Sequence, residues 1–139
     1  MKRYVLDSFA LLAYYENEAA GPAVAELFKQ ALDKQAELFL CVVNWGEMYY
    51  IALREAGRKQ AEQYLKVLAS LPVKIISADQ ALTSDAAQIK AANPISYADA
   101  FAAALAIKLG AALVTGDPDF KKLQSKIEIV WLSQEKAKR

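Results

Sequence analysis

The sequence predicts an α/β domain with a mainly parallel central sheet, and three observations carry that expectation. Short apolar runs recur at 4–7, 38–42, 73–76, 112–115 and 127–132. Segments with helical apolar spacing stand between most of them. Gly, Pro and Asn punctuate the joints. Alternating strands and helices of this kind describe parallel pairing, because parallel strands need long crossovers. With 139 residues, 55% of them hydrophobic, the chain suits one domain with a sizeable core. The expected boundaries are a domain over 1–132 and a loose, charged tail over 133–139.

The first strand, 4–7, passes directly into a helix over 8–15, and the change of period falls at Asp7. Gly21 and Pro22 open a second helix, proline being tolerated in a first turn, and Val24, Leu27, Phe28, Ala31 and Leu32 mark its apolar face. After the strand at 38–42, Asn44 is expected to cap the helix carrying Glu47, Tyr50, Ile51 and Arg54, and Gly57 to end or kink it. A further helix spans about 59–71 and stops at Pro72. The strand at 73–76 leads through Ser77 or Asp79 into a helix ending near Ala91, before the Asn93-Pro94 break. Ser96 caps an alanine-rich helix over 97–109, and Gly110 supplies a left-handed stop. The strand at 112–115 ends in Gly116-Asp117-Pro118, a helical turn covers 120–123, and 127–132 is the last strand. No internal repeat or long heptad pattern competes with this order.

Composition narrows the chemistry. The chain has no histidine, so a Ser-His-Asp triad and the usual zinc sites are excluded. The single Cys41 lies in an apolar run, where it reads as a buried small hydrophobe; a reducing, cytoplasmic setting fits. Lys2 and Arg3 before an apolar stretch imitate a signal peptide, but Asp7 interrupts that stretch and Glu16 and Glu18 crowd the small-residue site, so secretion is not expected. No segment reaches the roughly 18 apolar residues of a membrane span. Net charge is +1, too little for nonspecific coating of nucleic acid. Basic residues nevertheless gather as Arg54, Arg58, Lys59 and Lys66, and again as Lys121, Lys122, Lys126, Lys136, Lys138 and Arg139. They read as solvated faces or as flanks that carry a phosphate backbone.

Four acids stand at the transitions: Asp7, Glu47, Asp99 and Asp117. In parallel sheets ligands bind outside the carboxyl ends of the strands, where Asp7 and Asp117 fall. Glu47 and Asp99 are expected in first turns of helices, which start at that same edge and whose dipole tolerates a carboxylate. Each also has a purely structural reading. Asp7 suits a helix cap, Glu47 and Asp99 suit capping boxes with Asn44 and Ser96, and Asp117 suits a turn. Gathered together, the four would repel unless a cation compensates. Oxygen-only ligation points to Mg²⁺ or Mn²⁺, an ion that activates water and stabilises the leaving oxygen in a phosphodiester displacement.

The segments Tyr-Val-Leu-Asp7-Ser8, Asn44-x-x-Glu47, Ser96-Tyr97-Ala98-Asp99-Ala100 and Thr115-Gly116-Asp117-Pro118-Asp119-Phe120 together resemble the four motifs of PIN domains, within that group the VapC-type toxin ribonucleases of toxin-antitoxin pairs. The resemblance covers nearly the whole chain. It implies a three-layer α/β/α PIN-like fold, Mg²⁺- or Mn²⁺-dependent cleavage of RNA through metal-activated water, a small antitoxin that blocks the site, and homodimers. Carried over by position, Asp7, Glu47, Asp99 and Asp117 become metal ligands, directly or through water. Ser8 and Thr115 become their hydrogen-bonding support, and Asp119 a candidate fifth acid. Arg54, Arg58, Lys121 and Lys122 are the candidate RNA contacts. Tyr14, Tyr15, Trp45, Tyr49 and Tyr50 divide between core and a dimer or antitoxin groove.

Three rival readings accompany this one. A metal-dependent phosphatase with Asp7 as nucleophile needs a second acid two residues on, where Phe9 stands. A receiver module lacks its acidic pair in the same region. A binding module that holds RNA or protein without cutting it would carry a broken acidic set, and this set is intact.

Overall fold

Five short strands, β1 (Lys2–Leu6), β2 (Ala36–Cys41), β3 (Val73–Ile76), β4 (Ala112–Thr115) and β5 (Ile129–Trp131), pair in parallel in the order β3-β2-β1-β4-β5. The structure is a computed structural model and describes residues 1–133, so all of the expected tail after Ser133, with Lys136, Lys138 and Arg139, lies outside the described residues. Helices α1 (Ser8–Tyr15) and α2 (Gly21–Leu32) join β1 to β2, and α3 (Val42–Ala56) and α4 (Arg58–Ser70) join β2 to β3. Helices α5 (Gln80–Ala92) and α6 (Tyr97–Leu109) carry the chain from the β3 edge across to β4, and a 3₁₀ helix (Pro118–Leu123) precedes β5.

The three layers follow from strand alternation. Val5, Phe39, Cys41 and Leu113 face one core with Phe101, Leu105 and Phe120, while Leu6, Leu38, Leu40 and Val114 face the other with Leu11, Val24, Met48 and Leu68. Both sheet faces are therefore covered, as parallel strands with continuous apolar runs require. Residues from Asp99 through Ala106 of α6 are all buried. A helix apolar on every side belongs inside, and its alanines keep it slim enough to lie there.

Several boundaries differ from the sequence expectation. β1 starts at Lys2 because its charged residues pair across strands: Lys2 with Glu128, and Arg3 with Glu37 at 3.4 Å. Glu37 also receives Lys74 at 2.8 Å, and both cations lie over the Phe39 ring. The chain enters α3 straight from β2, with Cys41 at the cap position and no side-chain cap. Val42 is helical, and Asn44 is the third helical residue rather than the cap. Its amide is used in a long-range hydrogen bond instead, and Glu47 consequently sits in the second turn. Asp79, not Ser77, caps α5, accepting from the Leu82 amide at 2.8 Å. Ile127 is buried but precedes β5. No helix among the described residues is long and apolar enough to cross a membrane.

Candidate functional site

The strand order reverses direction at β1 and β4, which are neighbours in the sheet although 105 residues lie between the end of β1 and the start of β4. A crevice forms at such a switch point, outside the carboxyl ends of the strands. Leu6 pairs with Val114, so the next residue on each strand, Asp7 and Thr115, meet at the mouth of that crevice.

Asp7 is buried and held from both sides. One carboxylate oxygen accepts the Ala10 amide at 2.9 Å, capping α1, and the other accepts the Thr115 hydroxyl. Thr115 in turn accepts the Asp117 amide at 3.0 Å. The cap and the cluster are thus compatible uses of one side chain. Burial pushes the Asp7 carboxyl up to about 7, against the lowering effect of these hydrogen bonds, and the charges of Asp99 and Asp117 add to the rise.

Asp99 reaches the site from the first turn of α6. Ser96 caps that helix, accepting the Asp99 amide at 3.1 Å. Burial again comes first among the causes that push Asp99 up to about 7, followed by the charges of Asp117 and Glu47. Glu47, half-buried on α3, accepts the Ser8 hydroxyl. Asn44 ties α3 to α6: its Nδ2 donates to the Ala98 carbonyl at 3.1 Å, beside Asp99, while its Oδ1 is buried without a hydrogen bond.

Asp117 and Asp119 come from the turn after β4. An Asp117 oxygen accepts the Asp119 amide at 2.9 Å, which starts the 3₁₀ helix and sets the two carboxylates side by side. One oxygen each from Asp99, Asp117 and Asp119 lie within 4.8 Å of one another. Two Mg²⁺–O bonds of about 2.0–2.1 Å span at most about 4.2 Å, so a small inward shift of the carboxylates lets the three oxygens share one ion. The donor set, all carboxylate, fits a hard cation. Among the described residues Asp7 and Glu47 stand outside this closest group but act on it electrostatically. Asp119 therefore belongs with the tightest acids. The signal for it in the sequence is the Asp-Pro-Asp spacing at a strand end.

The basic candidates separate. Arg58 pairs with Glu62 one turn along α4, at 3.2 Å, on an exposed face. Lys122 donates to the Pro94 carbonyl at 3.3 Å, tying the 3₁₀ helix to the α5–α6 connection. Lys121 and Arg54 are exposed. Of the aromatic residues, Tyr14, Tyr15, Trp45 and Tyr49 pack against the core, with Tyr15 stacked on Tyr64 at 4.4 Å, and Tyr50 is exposed. Gly116 lies under Phe9: a β-carbon there would overlap the Phe9 ring.

A family model described as the PIN domain matches residues 4–126. No curated protein matches the chain by sequence. Among solved structures, the chain is similar to VapBC2 from Rickettsia felis bound to a DNA fragment from their promoter, with a TM-score of 0.73, 19% identity, and coverage of 94% of this chain and 99% of that one. It is similar to the sarcin-ricin loop cleaving toxin VapC20 of Mycobacterium tuberculosis, with a TM-score of 0.70, 17% identity, and coverage of 96% and 99%. DNA-bound VapBC from Salmonella typhimurium gives a TM-score of 0.71, 17% identity, and coverage of 94% and 98%. At these identities the likeness is one of fold. Since the family match spans most of the 139 residues, the chain belongs to the PIN domain family.

Proposed function

We propose that this protein is a Mg²⁺- or Mn²⁺-dependent endoribonuclease, the toxin of a toxin-antitoxin pair, that hydrolyses RNA phosphodiester bonds. The observation that carries the reading is the meeting of the Asp99, Asp117 and Asp119 oxygens within 4.8 Å, in a crevice whose other acids, Asp7 and Glu47, are held by hydroxyl donors. Such a cluster is unfavourable by itself and becomes favourable around a cation. The family match supports nuclease chemistry, and one similar structure is of a toxin described as cleaving the sarcin-ricin loop.

In this reading Asp99, Asp117 and Asp119 hold the ion, with Asp7 and Glu47 acting directly or through water. A bound divalent ion supplies a Lewis acid that makes water a nucleophile near neutral pH and offsets phosphate charge. Asp7, fixed by Ala10 and Thr115, has its carboxylate orientation set before substrate arrives. Held in that orientation, the Asp7 carboxylate accepts a hydrogen bond from the attacking water and aligns it. Ser8 performs the same fixing for Glu47. Arg54, Lys121 and, after release of their present partners, Arg58 and Lys122 supply positive charge for the RNA backbone. The proposed protein partners are a small antitoxin and a second copy of the chain, and the setting is the cytoplasm. Similar structures of VapBC and other toxin-antitoxin complexes support the first of these.

The test is cleavage of RNA by the purified chain with Mg²⁺ or Mn²⁺, with excess chelator, and after Asp7→Asn. Cleavage that requires the ion and falls at least 100-fold in the Asp7→Asn protein, with an unchanged circular dichroism spectrum, is the expected result. Undiminished activity in either control overturns the mechanism, and hydrolysis of small phosphomonoesters with RNA left intact replaces it by phosphatase chemistry.

A further inference from the structure

Helix α3 has two unlike flanks. Trp45, Tyr49 and Leu53 recur every four residues and pack against the core, as do the buried Asn44, Met48 and Ala52 beside them. At 100° per residue, Glu47, Tyr50 and Arg54 fall on another stripe about 60° wide. Tyr50 lies about 4.5 Å and Arg54 about 10 Å along the axis from Glu47. Tyr50 is 47% exposed, whereas Trp45 and Tyr49 of the same helix are half-buried. Arg54 places its guanidinium 5.3 Å from the centre of the Tyr50 ring. Among the described residues Arg54 forms no ion pair, in contrast to Arg58.

An exposed apolar side chain alone is ordinary. The pairing is informative: a ring that offers a stacking face, a cation without a carboxylate partner, and a helix stripe that starts at an acid of the candidate site. Aromatic rings and arginine together are the means by which proteins hold single strands, bases on rings and phosphates on cations. The start of the stripe at Glu47, beside the acids of the candidate site, favours a substrate strand over a protein partner. We infer that Tyr50 and Arg54 are a positioning contact for single-stranded RNA, Tyr50 stacking a base of a nucleotide next to the cleaved bond and Arg54 pairing with its phosphate. The inference rests on the ribonuclease reading and adds to it a residue that selects unpaired RNA.

The test measures binding of a fluorescent RNA dodecamer to the full chain in chelator, and of the same strand with abasic residues, then kcat and KM with Mn²⁺. Tyr50→Ala is expected to raise Kd about tenfold and to raise KM while leaving kcat unchanged, whereas Tyr50→Phe retains the parent values. Wild-type protein is expected to bind the abasic strand as weakly as Tyr50→Ala binds the intact one. Arg54→Ala is expected to lower the salt dependence of binding by about one phosphate contact. Equal Kd and KM for Tyr50→Ala and parent, in a protein that still cuts RNA, overturns this inference alone. So does a loss of self-association in Tyr50→Ala with RNA binding intact, which makes the stripe an interface between copies. A parent that neither binds nor cuts RNA overturns the ribonuclease reading and this inference with it.

Discussion

The Thr115 hydroxyl donates to the Asp7 carboxylate across the β1–β4 pair, while its oxygen accepts the Asp117 amide, so one side chain fixes two acids of the site. Thr115→Val keeps the shape but removes both bonds. The expected outcome is a loss of about 10–100-fold in Mn²⁺ or Mg²⁺ affinity, the usual effect of removing a residue that orients a ligand. Thr115→Ser is expected to stay near the parent. Thermal midpoints measured against cation concentration check it, since a ligand of the native state raises stability by mass action.

Asp7 and Asp99 bind protons more tightly in the folded state, near 7, than their ordinary value of 3.8 in an unfolded chain. Between about pH 4 and 7 the folded protein therefore holds more protons, and stability of the metal-free protein falls as pH rises through that window. Above about 7 the loss is complete and the curve flattens. A divalent cation takes the place of the protons, so its stabilising effect is expected to be larger at pH 8 than at pH 5. Urea unfolding at the two pH values, with cation or chelator, reads this directly. A metal-free protein more stable at pH 8 than at pH 5 contradicts the assigned electrostatics.

Asn44 combines a long-range bond to Ala98 with an oxygen that has no partner. A net hydrogen bond contributes about 1 kcal/mol and a buried orphan costs about 1–3 kcal/mol. Asn44→Leu, similar in size, is thus expected to leave unfolding free energy within about 1 kcal/mol of the parent or above it. Cation affinity and RNA cleavage are expected to fall, because Glu47 and Asp99 lose the tie between their helices. Equal losses of stability and activity would instead make Asn44 a packing residue only.

Gly116 has ordinary backbone geometry but no room for a side chain under Phe9. Gly116→Ala is expected to cost about 1–3 kcal/mol, the range for overpacking. Adding Phe9→Leu to the same chain is expected to recover part of that. Denaturant midpoints of the single and double variants decide between overlap and any other cause.

The sheet, its parallel sense and the acids at its carboxyl edge were legible because each depends on local signals. Asp7 and Asp117 follow apolar runs directly, and Ser96 and Gly110 bracket α6 with a cap and a left-handed stop, Gly110 having φ +60°. What escaped depends on contacts distant in sequence. Asn44 reads as a cap, since the residue type favoured at helix starts is the same one that serves as a buried tie. Lys2 and Arg3 look like residues before a strand until Glu128 and Glu37 are seen across the sheet. Lys122 looks like a free cation until Pro94 is beside it. Asp119 was visible as an acid, but its place within the closest group depends on how Asp117 turns the chain.

The central position of β1 carries a further consequence. The strand made first has to wait for β2 on one side and for β4 on the other, and the acids it helps to gather extend from Asp7 to Asp119. Pairing over such sequence distances is slow compared with local helix formation. A ribosome synthesising this chain would therefore release most of it before any fragment holds the complete set of these acids. The acidic cluster is thus assembled by the last closure of the sheet and has no counterpart in any shorter fragment.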